Sequence, residues 1–288
     1  MRRGDALLEA IGRSVPILHH PRPLPEHLRL PHTSDPVLDR VLKREGLLEP
    51  GTLGRGNHFI EFQRDAHDGR CWLLVHSGSR ALGQVFFAHH LARAHGKSEG
   101  LAFLRADTPE GKDFLCDHHL ARAFARLNRT RMAQAVLREA FRLCGLRPDL
   151  STLRHSDHNH VARERIGDEW LWVHRKGASR ARDGQAQVIP GSMGTATFQV
   201  LGRGDARSLN SCAHGGGRLL ARGEAGRKLR LGAMHEAMAG VHWQHANALN
   251  LLPESPQAYK EISAVLRAQR DLVRQVRMLE PVVNFKGV

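Results

Sequence analysis

The sequence predicts a mixed α+β fold, and three observations carry that expectation. Short apolar runs bounded by Gly, Asp and Ser read as strands. Two stretches free of Gly and Pro, 84–94 and 114–143, read as helices. The two kinds of element interleave irregularly, which argues against the regular alternation of a doubly wound sheet. With 288 residues the chain can bury one large core or two small ones.

The elements follow in order. Six prolines fall between Pro16 and Pro36, with His19 and His20 among them, so residues 1–50 read as an extended Pro-rich arm. A main domain is expected over 51–288. It opens on a glycine-rich loop, 51–56, and continues as strands 59–63 and 71–76 around the turn Asp68-Gly69. The helix over 114–143 ends at Gly145, a residue suited to a left-handed C-cap. Strands are expected over 170–174 and 195–201. A helix from 257 to about 279, after Pro253 and Pro256, and an apolar strand over 282–285 close the chain.

Composition narrows the partners. Lys and Arg outnumber Asp and Glu by 43 to 29, a net charge of +14, which favours a polyanion. Aromatic residues make up only 5%, so stacking of bases on a broad platform of rings is not the expected main mode. The four cysteines, Cys71, Cys116, Cys144 and Cys212, form no CxxC pair and fit a reducing compartment. No apolar run resembles a signal or a membrane span, so the expectation is a cytoplasmic protein without a membrane partner.

Histidine is abundant, at 20 residues, and most of it needs no special account. The echoed segments at 89–94 and 118–123, both His-His-Leu-Ala-Arg-Ala, read as solvated helix surface. His214 differs, because it precedes Gly215, Gly216, Gly217 and Arg218. Glycines allow close approach of backbone to a ligand, their N–H groups can face an anion, and an arginine fork matches phosphate. An imidazole beside such a cradle is placed to attack phosphorus. His58, His76 and His158 stand between strands and small-residue turns, a pattern that can assemble a divalent-metal site from separate segments. Each, taken alone, is better explained as a hydrogen-bonded turn residue than as a ligand, and Asp157 as ligand, cap or surface. The segments 174–180 and 190–195 read as anion-binding turns or as ordinary turns with basic flanks. Asn57 and Glu61, four apart on an expected strand, would face one side and His58 the other.

Together these blocks resemble one family. GTLGRGNHFIE at 51–61, HSGSRALG at 76–83, DHN at 157–159, HRKGASRA at 174–181, PGSMGTA at 190–196, SCAHGGGR at 211–218 and the tail AYKEI…NFKG occur in the order of the RtcB-type RNA-splicing ligases. The resemblance runs from about Gly51 to the C-terminus. It implies an α+β fold of mixed sheets flanked by helices around a central metal and nucleotide cleft. It also implies a GTP- and Mn²⁺-dependent ligase joining RNA 3′-phosphate or 2′,3′-cyclic phosphate ends to 5′-hydroxyl ends. The reaction passes through a histidine-GMP intermediate, in RNA repair or tRNA splicing, and leaves room for an activating partner protein.

By position, the resemblance makes His214 the guanylated residue, with Gly215, Gly216 and Gly217 beside it. His58, His76 and His158 become ligands for one or two Mn²⁺ ions. Asn57, His58, Phe59, Ile60, Glu61, His158, Asn159, Pro190, Gly191, Ser192, Met193, Thr197, Tyr259 and Lys286 become GTP or GMP contacts, Tyr259 by stacking on guanine. The family's upstream Asp-x-x-Cys-Gly segment, which supplies a metal-bridging thiolate, has no counterpart here, so the chain reads as beginning after it. Arg55 stands where the family has glycine, Thr197 where it has serine, and Gly216 where it has alanine. Two other readings remain: a non-catalytic binder of RNA ends or nucleotide, and a metal-dependent phosphoesterase.

Overall fold

The N-terminal segment folds as two helices, α1 (Arg2–Ser14) and α2 (Pro36–Leu48), in a computed structural model that describes residues 2–23, 32–94, 96–98 and 100–288. Then come β1 (Phe59–Asp65), β2 (Cys71–His76), α3 (Arg80–Ala92), the short β3 (Gly96–Ser98) and β4 (Leu101–Phe103), and the long α4 (Pro109–Cys144). The second half runs β5 (Asn159–Ile166), β6 (Glu169–Lys176), β7 (Ala178–Arg180), β8 (Ala186–Pro190), β9 (Thr197–Gly202) and β10 (Ser211–Ala213). It ends with α5 (Arg222–Lys228), α6 (Leu231–Ala237), β11 (His242–Trp243), α7 (Ala248–Leu251), α8 (Ile262–Ala268) and β12 (Val273–Lys286). The expected α+β class holds.

The main sheet has the order β2-β1-β12-β9-β8, with β11 added to β12 in parallel. β12 is its centre, pairing antiparallel with both β1 and β9. This corrects the expected long helix: helix survives only over α8, and the chain from Val273 onward is strand. β9 pairs with residues 273–279 and β1 with residues 279–286, so neighbouring strands take up this segment in succession, and that pairing overrides its helix-forming Leu, Arg and Gln content. Pro281, which has no N–H to give, falls where the β1–β12 register shifts between Phe62 and Gln63.

The extended-arm expectation is corrected as well. Leu7 and Ile11 of α1, and Val15 just beyond it, lie in one buried cluster with Ile60, Phe62, Met132, Val136 and Phe285. The first proline comes only after this amphipathic stretch, and Pro36 opens α2 at a first-turn position behind the Asp35 cap. Here the prolines bound helices rather than exclude them. Pro25 and Pro31 lie outside the described residues.

α4 starts at a Thr108 cap and stops at Gly145 in the left-handed conformation, as the sequence suggested. The paired histidines are not all surface: His90 is buried, with Nε2 2.8 Å from Oδ2 of Asp117. Nε2 of His118 accepts the Val161 backbone N–H at 3.0 Å, tying α4 to β5. β5 and β6 pair only with each other, as a two-stranded hairpin beside the main sheet.

Candidate active site

Four histidines form a row. The ring centroids of His58 and His76 are 6.1 Å apart, those of His76 and His158 5.2 Å, and those of His158 and His214 4.6 Å. Strand geometry builds the row. His58 enters β1 and His76 leaves β2, and the antiparallel register sets Phe59 opposite His76. His158 enters β5. The pairing of β10 with β7 sets Ala213 opposite Ala178, which carries His214 to Gly177. Gly177, at φ 69°, links the last two: its N–H donates to the His158 carbonyl and its own carbonyl lies 2.7 Å from Nδ1 of His214.

That last contact fixes a tautomer. A carbonyl only accepts, so Nδ1 of His214 carries the proton, and in the neutral ring Nε2 keeps its lone pair. The four rings line a cleft of about 2150 Å³ together with Asn57, Asn159, Pro190 and Lys176.

The three other rings are held neutral. Burial lowers His58 to about 4, with Arg80 adding to the effect. Burial, then His158 and His58, pushes His76 well below the ordinary imidazole range. His158 is lowered by burial and by His214. Nδ1 of His58 and Nδ1 of His158 are buried without a hydrogen-bond partner. Neutral imidazoles with unused nitrogen lone pairs are the form that ligates a divalent ion, so the residues fit one. Among the described residues, the trio with all donor atoms within 4.8 Å of one another is instead His19, Glu45 and Glu49. The donor atoms of His58, His76 and His158 therefore do not all lie within 4.8 Å of one another. Asp157 is taken up by Arg122 and Arg129 and does not join them.

Two buried polar groups adjoin the strands that carry these histidines. Glu61 is pushed up to about 7 by burial, against hydrogen bonds from Gln63 and Asn284, and Gln63 also donates to Thr197 at 2.7 Å. The second group centres on Glu254, which accepts from Arg218 at 3.0 Å, Arg222 at 2.9 Å, Tyr259 at 2.5 Å and Lys286 at 3.1 Å. Burial works to raise Glu254, but Lys286, Tyr259 and Arg222 hold it below the usual carboxylate range. Lys286 stacks its ammonium 5.5 Å from the Phe59 ring centroid.

Several expectations change in this setting. Asn57 precedes β1 and is exposed, while Glu61 is buried, so the two do not share a strand face. Ile60 and Met193 are buried in hydrophobic clusters, which leaves only their backbone to meet a ligand. Arg218 is not a free phosphate fork. Its guanidinium is spent on Leu220, Pro253 and Glu254 and covers the Tyr259 ring at 5.0 Å. Arg175 and Arg180, expected to meet anions, both bind buried Glu164. The Gly216 N–H is likewise occupied, by the Pro190 carbonyl at 2.8 Å, and this bond brings Gly215–Gly217 against the Pro190–Met193 turn. Ser192 and Thr195 close that turn between themselves.

Sequence reasoning missed Glu254, Gln244, whose Oε1 accepts the Lys286 N–H at 2.7 Å, and Gly177 as an acceptor. Gly54 carried a signal in its glycine-rich loop. At φ 88° it has no room for a Cβ, which would lie 2.1 Å from Arg80 Nη1 and 2.4 Å from His58 Nδ1.

The family described as "tRNA-splicing ligase RtcB" matches residues 23–287. The chain belongs to the RtcB family. It is 35% identical over 262 residues to the RNA-splicing ligase RtcB of Escherichia coli K12, covering 86% of this chain and 64% of that protein. RNA-splicing ligase RtcB2 of E. coli ATCC 25922 is 33% identical over 262 residues, covering 82% and 64%. RNA-splicing ligase RtcB of Mycobacterium tuberculosis is 30% identical over 294 residues, covering 87% and 67%. The chain thus spans about two thirds or slightly less of the length of these RtcB relatives. No described helix is long and apolar enough to cross a membrane.

Proposed function

We propose that this chain carries the ligation chemistry of its family: GTP- and Mn²⁺-dependent joining of RNA 3′-phosphate or 2′,3′-cyclic phosphate ends to 5′-hydroxyl ends in the cytoplasm, for repair or tRNA splicing. The observation that supports it most is His214, whose Nδ1 is held by the Gly177 carbonyl while Nε2 keeps its lone pair beside the cleft. Nε2 attacks the α-phosphorus of GTP, a P–N bond forms, and pyrophosphate leaves with the electrons of the broken P–O bond. An RNA 3′-phosphate oxygen then displaces His214 from that phosphorus. Finally the RNA 5′-hydroxyl attacks the activated 3′-phosphate, loses its proton, and GMP leaves.

His58, His76 and His158 are the residues that would hold Mn²⁺, which when bound neutralises charge developing on phosphate oxygens. Lys286, Tyr259 and Glu61 support the GMP-binding role from the two buried polar groups, with Asn57, Asn159 and Pro190 on the cleft wall. A second reading, binding of RNA ends without ligation, draws on one observation. The three imidazoles do not converge within 4.8 Å, so the metal set is open unless a further ligand joins it.

Intact mass after incubation with GTP and Mn²⁺ tests the proposal. An acid-labile GMP adduct is expected on the parent chain and not on His214→Ala. A folded parent without adduct favours the second reading.

A further inference from the structure

The hairpin of β5 and β6 has two unlike faces. One is buried and carries Val173, Arg175 and Glu164. On the other, Trp170 is 61% exposed and Trp172 43%, although large aromatic rings are normally covered in a folded chain. The register pairs Arg165 with Trp170 and Arg163 with Trp172, so all four side chains stand on the same face. Arg163 lies 5.5 Å from the centroid of the Trp170 ring. Two of the four tryptophans in a chain with 5% aromatic residues are therefore together on one exposed strand, interleaved with arginine.

The face leads into the site past Val161, which pairs with His174 on the same side and is buried. His174 and Lys176, two and four residues beyond Trp172 on the same side, line the central cleft, and Lys176 pairs in register with Asn159, next to His158. From Trp170 to Lys176 the lane extends about 20 Å, with alternate side chains about 7 Å apart. Flat rings at regular spacing, flanked by cations and continuous with a phosphate-transfer site, match an unpaired nucleic-acid strand. A protein partner would also cover apolar rings, but the cationic flanks and the continuity with the cleft favour a polyanion.

We propose that the exposed face of the β5–β6 hairpin is a track for single-stranded RNA, with bases stacked on Trp172 and Trp170 and phosphates met by Arg163, Arg165 and Lys176. The track deepens the ligase reading and rests on it for its direction: it selects RNA whose reacting end carries an unpaired tail rather than a duplex flush to the end.

The test is binding of a short unpaired oligoribonucleotide ending in a 3′-phosphate, followed by anisotropy of an internal label, to the parent, Trp170→Ala/Trp172→Ala and Trp170→Phe/Trp172→Phe. Each ring removed should weaken binding roughly tenfold, the Phe variant should keep most of the affinity, and duplex RNA of equal length should be insensitive. Unchanged binding in the Ala variant, equal loss on duplex, or a changed oligomeric state without loss of RNA binding would overturn the track. GMP-adduct formation on the same variants separates the two readings. Adduct with unaltered RNA binding sinks the track alone, and track-dependent binding without adduct sinks the ligase alone.

Discussion

Two groups of histidines in this chain look alike in sequence and differ in what surrounds them. Between α3 and α4, His90 bonds Asp117, whose carboxylate also accepts the Ser34 N–H at 2.9 Å and the Ser34 hydroxyl at 2.5 Å, and His118 accepts from the backbone of β5. At the strand ends, His58 and His158 keep buried nitrogens with no partner. Nδ1 of His90 has no partner either, so what separates the groups is that Nε2 of His90 is tied to a carboxylate, while His58, His76, His158 and His214 adjoin one another along the cleft. A buried polar atom left unpaired destabilises the fold by roughly 1–3 kcal/mol, and adjoining rings that carry two such atoms along a cleft are suited to a ligand.

The sharpest way to break this comparison is to remove one member from each group. Asp117→Ala leaves His90, the Ser34 hydroxyl and the Ser34 N–H without their acceptor, and should lower unfolding free energy by about 3 kcal/mol. His76→Ala removes a ring that burial already keeps uncharged and should cost far less stability while abolishing GMP-adduct formation. Urea midpoints for the two variants check this. An equal loss in both would make the row part of the core rather than a site.

Metal supplies the next, somewhat smaller effect. An ion that binds only the folded chain stabilises it by about 2.7 kcal/mol at a hundredfold excess over Kd. Mn²⁺ should therefore raise the thermal midpoint of the parent, and His58→Ala/His158→Ala should remove most of that rise. A rise that survives in this variant but disappears in Glu45→Gln/Glu49→Gln would move the ion to the His19, Glu45 and Glu49 trio, whose donor atoms lie closest together.

What the sequence disclosed follows the same division. His58, His76, His158 and His214 were legible because each is set by a local strand-to-turn change. Their order along the chain is also the order of the row. Glu254 was not legible, since Arg218, Arg222, Tyr259 and Lys286 reach it from positions 32–36 or 5 residues away that no periodicity connects. The end of β12 was expected as the strand over 282–285, but its first part was missed for a related reason. The residues over 273–279 suit a helix locally, and only their pairing with β9 decides otherwise. The prolines of the first fifty residues misled by their number, although Pro16 and Pro36 merely flank helices.

The smallest effect concerns Glu61, which stands between the two kinds of group: it has hydrogen-bond partners, yet burial resists its charge. A carboxyl raised from 4.5 to about 7 on folding is protonated in the native chain at pH values where the unfolded chain has lost its proton. Its contribution is full below pH 4.5 and disappears as pH climbs through 7. Asn284 can accommodate the neutral form, because its Oδ1 has no partner and an amide turned over would present that oxygen to a donor on residue 61. Glu61→Gln should therefore match the parent within about 1 kcal/mol at pH 5. At pH 8.5 it should be the more stable chain, by on the order of 1–2 kcal/mol, because glutamine cannot titrate. Urea unfolding at the two pH values decides it. A parent more stable than Glu61→Gln at pH 8.5 would mean that Lys286 keeps Glu61 as a carboxylate, and that the second buried group reaches into the first.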